Sequence, residues 1–215
     1  PAVPVAGACG QSAGGVLLAG KHGASVISLR VPRDASRSTS LKDQWAIAEK
    51  EAAKHGKTVR REDWRLSVGC HLAETREQAF EDIRVGAGQV VTEYTGGTNG
   101  NPIPDVPANE IVDYMVENNQ WIVGTPDDCI AGIERLQEAS GGFGGLLLRA
   151  EDWAPRDKLH RSYELLARYV MPQFQGSLTG IIDSQQRSAS MKESLQANRR
   201  AGLKRATETY LARPQ

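Results

Sequence analysis

A chain of 215 residues, 40% hydrophobic and 24% charged, can bury a sizeable core in one domain or in two. Lys plus Arg and Asp plus Glu each total 26, so no overall field draws it to nucleic acid or to a lipid surface. Three widely spaced cysteines, Cys9, Cys70 and Cys129, argue against a disulfide framework or a zinc site and point to a reducing cytoplasm. No apolar run approaches the ~20 residues that span a bilayer, and the first residues lack the basic-then-apolar pattern of a signal peptide.

Taken in order, short apolar runs alternate with helical patterns. "VPVAG" (3–7) precedes a helix around 14–22, "ASVISL" (24–29) a helix around 40–55, and "RLSVGCHLA" (65–73) a helix around 75–94. The first run begins almost at residue 1, as in a chain entered midway. A Gly/Asn/Pro-rich loop (95–108), a short helix led by Asn109 and the run "WIVG" lead into a strongly marked helix start. There Thr125 can accept from an unpaired first-turn amide, Pro126 sits where no amide is needed, and Asp127 and Asp128 meet the positive end of the dipole. Ile130, Ile133 and Leu136 give that helix one apolar face. "FGGLLLRA" (143–150) and a helix around 155–170 complete four strand-then-helix units, the pattern of a parallel α/β sheet whose strands are apolar on both faces. Beyond "MPQF" (171–174) the pattern becomes polar. Ser184 to Gln215 carries seven basic and two acidic residues, leaving the rest net acidic by five. Met191, Leu195, Leu203, Ala206 and Tyr210 give this tail one thin stripe, suited to docking on a partner surface. It lacks the interleaved aromatics of a nucleic-acid binder. The expected division is 1–175 and a basic helical arm, 176–215.

Four segments, "VAGACGQSAGGVLLAGKHG" (5–23), "WRLSVGCHLAETREQAFEDIR" (64–84), "WIVGTPDDCIAGIERLQEASGGFGGLLL" (121–148) and "RSYELLARYVMPQF" (161–174), resemble the C-terminal half of bacterial luciferase-like, flavin-dependent monooxygenases. The likeness is nearest to the limonene monooxygenase and alkanal monooxygenase α-chain type and covers roughly residues 3 to 175. It implies a (β/α)8 TIM-barrel fold, with this chain supplying about the last four β/α units plus a helical C-terminal tail. It further implies reduced FMN and dioxygen as co-reactants. The product would be an oxygenated small organic substrate such as an aldehyde, ketone or terpene, with a flavin reductase supplying reduced FMN. Association as a homo-oligomer, or with an N-terminal half-barrel, is implied as well. The alternatives are hydride transfer with the deazaflavin cofactor F420, and a non-catalytic flavin-binding or structural half-barrel.

Barrel enzymes build their sites at the C-terminal ends of strands, here Gly7–Ser12, Ser28–Arg30, Cys70–Leu72 and Leu148–Glu151. "AGACGQSAGG" places small residues between a strand and a helix N-terminus, where backbone amides can approach an anion. By position against the family, Ala6, Gly7 and Ala8 line the flavin side chain, Gln11 and Ser12 reach its phosphate, and the Ser28 hydroxyl lies near the flavin. A ligand-free turn is the alternative for the loop, and a turn-capping hydroxyl for Ser28. His71 can act as acid or base near neutral pH if it faces the barrel mouth, and strand alternation sends Cys70 and His71 to opposite faces. His22 and His55, each in "KHG", suit helix C-termini. Cys9 and Cys129 read as small core residues and the four tryptophans as core fillers. Glu151 and Asp152 read as loop residues. No residues have metal-ligand spacing. The loop 95–107 is long enough for a lid.

Overall fold

The computed structural model describes residues 3–10, 12–29, 39–177 and 179–212. Residues 1–170 form one unit and 171–215 another. The first opens with β1 (Ala6–Cys9), α1 (Gly14–His22), β2 (Ser25–Ser28), α2 (Leu41–Lys54) and β3 (Arg65–Leu72). It continues with α3 (Arg76–Gln89), α4 (Ile111–Glu117), β4 (Trp121–Gly124), α5 (Pro126–Ser140), β5 (Gly145–Arg149) and α6 (Arg156–Leu165). All strand pairs are parallel.

Local chemistry fixes most helix starts. Ser40 accepts from the Asp43 amide at 3.1 Å and Thr75 from that of Gln78 at 3.2 Å, opening α2 and α3. At α5 the Thr125 hydroxyl accepts from the Asp128 amide at 3.3 Å while the Asp128 carboxylate accepts from the Thr125 amide at 2.9 Å. This is the reciprocal box that the sequence announces, with Pro126 at the first helical position. The first strand starts later than the apolar run suggests, because Pro4 has no amide to donate and pairing with β2 runs over residues 6–9. The α-helix expected to reach residue 94 ends at Gln89. From there Val90–Thr98 widens to π-helical turns, with the Thr92 hydroxyl bonded back to the Gly88 carbonyl at 2.9 Å. Likewise α6 gives way to π-helical turns over Leu166–Val170.

The sheet has one strand more than the four units expected. Arg65 and Leu66 pair with both β2 and β5, so these two strands flank the start of β3 on opposite edges. The "WIVG" run becomes β4, which pairs with the second half of β3 over Gly69–Leu72.

Register neighbours in a parallel sheet share a face. Cys9, Val26, Leu66, Val68, Cys70, Leu72 and Ile122 point to the helices. They join Val16, Ala19, Trp45, Ala48, Cys129, Ile133, Leu136 and Leu165 in one core cluster. Ala6, Ala8, Ile27, Arg65, Ser67, Gly69, His71, Leu147 and Arg149 occupy the other face. Its C-terminal end is covered by a second cluster built on Ile83, Ala87, Ile111, Val112, Trp121 and Trp153. Its remainder is more open, with Ser67 buried but Ala6 and Ala8 exposed and Leu147 41% exposed.

The second unit consists of α7 (Met171–Phe174), α8 (Thr179–Ser190) and α9 (Lys192–Leu211). Neither α8 nor α9 has a buried residue among those described. Among the described residues no helix is long and apolar enough to cross a membrane.

Candidate functional site

The C-terminal end of β1 turns into α1 through small residues. A Cβ on Gly7 would lie 2.6 Å from the Gly15 carbonyl oxygen, and one on Gly15 would overlap the Ala8 carbonyl. These glycines therefore let helix and strand approach closely. The consequence divides the residues expected to line a flavin: Gly7 faces α1, whereas Ala6 and Ala8 face the open side of the sheet. Gln11 lies outside the described residues. Ser12 is exposed just before the helix. No side chain caps α1, and a Cβ on Gly10 would meet nothing within 4 Å. The Cys9 thiol donates to the Ser12 carbonyl at 3.0 Å and ties down the far end of the turn. Burial pushes this thiol up in pKa against the pull of the Val16 amide, so Cys9 stays protonated and donating.

The result is an accessible, uncapped helix start of nine residues, lined by glycine, alanine and one free hydroxyl. The Val16 amide is drawn to the Cys9 thiol, but those of Gly14 and Gly15 and the positive helix end suit a phosphate, so these residues fit the phosphate end of a flavin mononucleotide.

Ser28 is placed differently. Its hydroxyl is 1% exposed, donates to Gln44 Oε1 at 2.6 Å and accepts from Trp64 Nε1 at 3.0 Å. Gln44 in turn donates to the Thr39 carbonyl at 3.0 Å. The hydroxyl is committed beneath the end of β2, on the helix side of the sheet.

His71 lies on the face opposite α5, as alternation requires, but its ring is closed off by α3. Nε2 stands 3.4 Å from Asp82 Oδ2, and Lys158 Nζ is 3.6 Å from the other oxygen of that carboxylate. Burial lowers the imidazole pKa, Asp82 pulls it back up, and Lys158 adds a smaller lowering. Only 1% of the residue is exposed, so a reacting molecule reaches it only if α3 moves.

Beside it, the Trp121 and Trp153 rings lie 4.2 Å apart at 33° and crowd over Gly69, where a Cβ would lie 2.9 Å from Trp121 Cδ1. Trp153 Nε1 donates to Glu151 at 2.8 Å, and the other oxygen of Glu151 pairs with Arg149 at 3.2 Å. The sequence alone marks these tryptophans as fillers and Glu151 as a loop residue. Their convergence on Gly69 depends on pairings more than fifty residues apart, which no local signal carries. The open hollow lined by Val3, Val5, His22 and Ser25 lies at the opposite, N-terminal end of the strands. Among the described residues no group of three or more His, Cys, Asp or Glu side chains is placed to hold a metal ion.

No family model matches the chain. It is 39% identical over 184 residues to 4-hydroxyprotoasukamycin monooxygenase of Streptomyces nodosus subsp. asukaensis, spanning 85% of this chain and 50% of that protein. With limonene 1,2-monooxygenase of Rhodococcus erythropolis it shares 39% identity over 165 residues, 76% of this chain and 42% of the relative. Over the part it spans, the chain is similar to luciferase-like monooxygenases. A solved type II Baeyer–Villiger monooxygenase, the oxygenating constituent of 3,6-diketocamphane monooxygenase from Pseudomonas putida in complex with FMN, superposes with a TM-score of 0.62 at 25% identity. The match covers 80% of this chain and 48% of that one. The F420-dependent tetrahydromethanopterin reductase of Methanopyrus kandleri shares the fold at a TM-score of 0.50 and 16% identity, over 80% of this chain and 51% of the other. The chain thus spans about half the length of the relatives it matches, and its parallel sheet corresponds to about half of their TIM barrel.

Proposed function

We propose that the chain is part of an FMN-dependent monooxygenase that oxygenates a small organic substrate such as a ketone, aldehyde or terpene. The observation that carries this reading is the uncapped, glycine-lined start of α1 at the C-terminal end of β1. It occurs in a chain 39% identical to two named monooxygenases. When bound, reduced FMN supplies the electrons that activate dioxygen. Ser12 and the first-turn amides of α1 would hold its phosphate, a role the family resemblance also gives to Gln11. Ala6 and Ala8 form a small-residue wall on the open side of the sheet that would line the flavin side chain. Ser28 acts indirectly, by fixing the end of β2 from below. The Trp121–Trp153 pair, packed over Gly69, would keep water from the C-terminal end of this face.

Since the strands flanking the open face are few, the active protein is completed by a second half-barrel, an N-terminal segment or a second copy, and receives reduced FMN from a flavin reductase. Titration with FMN tests the site. Ser12→Asp puts a charge beside the phosphate and should weaken binding about tenfold or more, the effect of ~1.4 kcal/mol of like-charge repulsion. Unchanged affinity in that variant would sink the assignment. Dioxygen uptake with reduced FMN and a cyclic ketone tests turnover.

A second reading, hydride transfer with F420, is supported by the shared fold of the F420-dependent reductase. Parallel titration with F420 separates the two, since an F420 enzyme leaves dioxygen untouched.

A further inference from the structure

Two of the three thiols meet in the core, on the side of the sheet away from the proposed flavin. Cys70 lies in β3 in register with Ile122, and the Ile122 side chain packs on α5 at Gly132. One turn earlier in α5 is Cys129, 1% exposed and in the same core cluster, with Cys70 packed against it. Each thiol is the group that most shifts the pKa of the other. Cys70 is only partly buried, whereas Cys129 is shut beneath the first turn of α5. That turn is locked twice, by the Thr125–Asp128 box and by Arg76, which binds the Asp128 carboxylate. The two thiols differ in character. Cys70 is held protonated, its pKa raised by Cys129 and by burial. Cys129 lies in the first turn of a helix and is shifted towards the thiolate by Cys70, against its burial and the neighbouring Asp128 carboxylate. Cys9, the third thiol, is bonded elsewhere to the Ser12 carbonyl.

We propose that Cys70 and Cys129 form an oxidative modification site that hydrogen peroxide converts to an intrachain disulfide, tying α5 to β3. The Cys129 thiolate attacks one peroxide oxygen, the O–O bond breaks, and the departing hydroxide takes the proton the thiol gave up, leaving water and a sulfenic acid. The Cys70 sulfur then displaces the sulfenic oxygen as a second water, and the S–S bond forms. In sum two thiols lose two electrons and two protons, and one peroxide becomes two waters. This site stands independently of the flavin reading, because no residue in it belongs to the proposed cofactor cradle.

Access sets the rate. Cys129 reacts when the first turn of α5 opens, so loosening the cap should speed oxidation. Thr125→Ala should raise the rate about fivefold, the change in open population that a lost N-cap produces. The test is incubation of the native chain with hydrogen peroxide, alkylation of remaining thiols, and mass spectrometry of a non-reduced digest. The expected result is a product lighter by two hydrogens, a cross-linked peptide pair containing Cys70 and Cys129, and Cys9 alkylated, all reversed by dithiothreitol. In Cys70→Ser, Cys129 should be trapped by dimedone as the sulfenic acid, which shows the pathway even if the disulfide itself is poorly populated. Three alkylated thiols after peroxide treatment, oxidation falling first on Cys9, or equal rates in the wild type and Thr125→Ala would each overturn the proposal.

Discussion

The two faces of the sheet differ in how they are finished. Towards the helices, every strand residue from Leu66 to Leu72 that points that way enters a continuous cluster with α1, α2, α5 and α6, in which Ser28, Gln44 and Trp64 satisfy one another while the buried Trp45 Nε1 has no partner among the described residues. On the opposite face only the C-terminal end is sealed, by Trp121, Trp153 and the helices α3 and α4, while Ala6, Ala8 and Leu147 meet solvent. Among the described residues β1 and β5 each pair on one edge alone. The closed face carries the stability of the unit. The open face and the strand ends carry the residues proposed above to meet the flavin.

Substitutions on the closed face should therefore cost most. Trp64 is fully buried and stacks on Trp45 with centroids 5.1 Å apart. Trp64→Ala should lower stability by about 3–5 kcal/mol, read from the midpoint of urea unfolding. Ser28→Ala strands the Trp64 indole N–H and the Gln44 oxygen without their partner and should cost about 1–3 kcal/mol. Its FMN affinity should stay within about twofold of the wild type, because the hydroxyl faces away from the open side. A larger fall in affinity would return Ser28 to the cofactor site. Thr125→Ala removes the reciprocal cap of α5, and about 1 kcal/mol is expected by the same measurement.

The sealed end of the other face predicts a pH dependence. An unfolded imidazole has a pKa of about 6.5, and that of His71 is lower in the folded chain because burial disfavours its charge more than Asp82 restores it. Below about pH 7 the unfolded state therefore binds the proton first. Stability should be level above that pH and fall as pH drops through the window between the two values. The carboxylate of Asp128, held below the usual range by Arg76 and Thr125 against the effect of burial, loses its contribution only at lower pH, as it protonates. His71→Gln should flatten the slope between pH 7 and 5.5 in urea titrations. An unchanged slope would show that other groups set it.

What the sequence made legible follows the range of the interactions. Thr125, Pro126 and Asp128 announce α5 because capping is decided within four residues, and the alternation of apolar runs and helical stripes shows a parallel α/β sheet for the same reason. The luciferase-like resemblance added the barrel. The orientation of Gly7 was hidden, because it turns on a strand start one residue either way. The true partners of Ser28 lie 16 and 36 residues off, and Lys158, which completes the charges around His71, comes from another helix altogether. The apolar run that becomes β4 was legible, but not its place beside the second half of β3, because a four-residue run pairs only once β3 is in place. Local signals reveal elements; sites assembled by the sheet need the sheet.

The smallest effect in this chain is also the sharpest test of the comparison. Leu147 lies on the open face in register with Ser67, so Leu147→Lys leaves its ammonium in water and should change stability by no more than about 0.5 kcal/mol. The same position should become interior when the strands present in relatives of twice the length cover this face. A buried, unpaired ammonium costs several kcal/mol there. The half of the relatives' length that this chain does not span, supplied as a separate chain, should therefore co-purify with the wild type and not with Leu147→Lys. Equal co-purification of both would mean that Leu147 stays in solvent in the assembled protein and that the sheet is closed somewhere other than across this face. A large loss of stability in the isolated variant would mean instead that the face is already covered, and the contrast between the two sides of the sheet would fall.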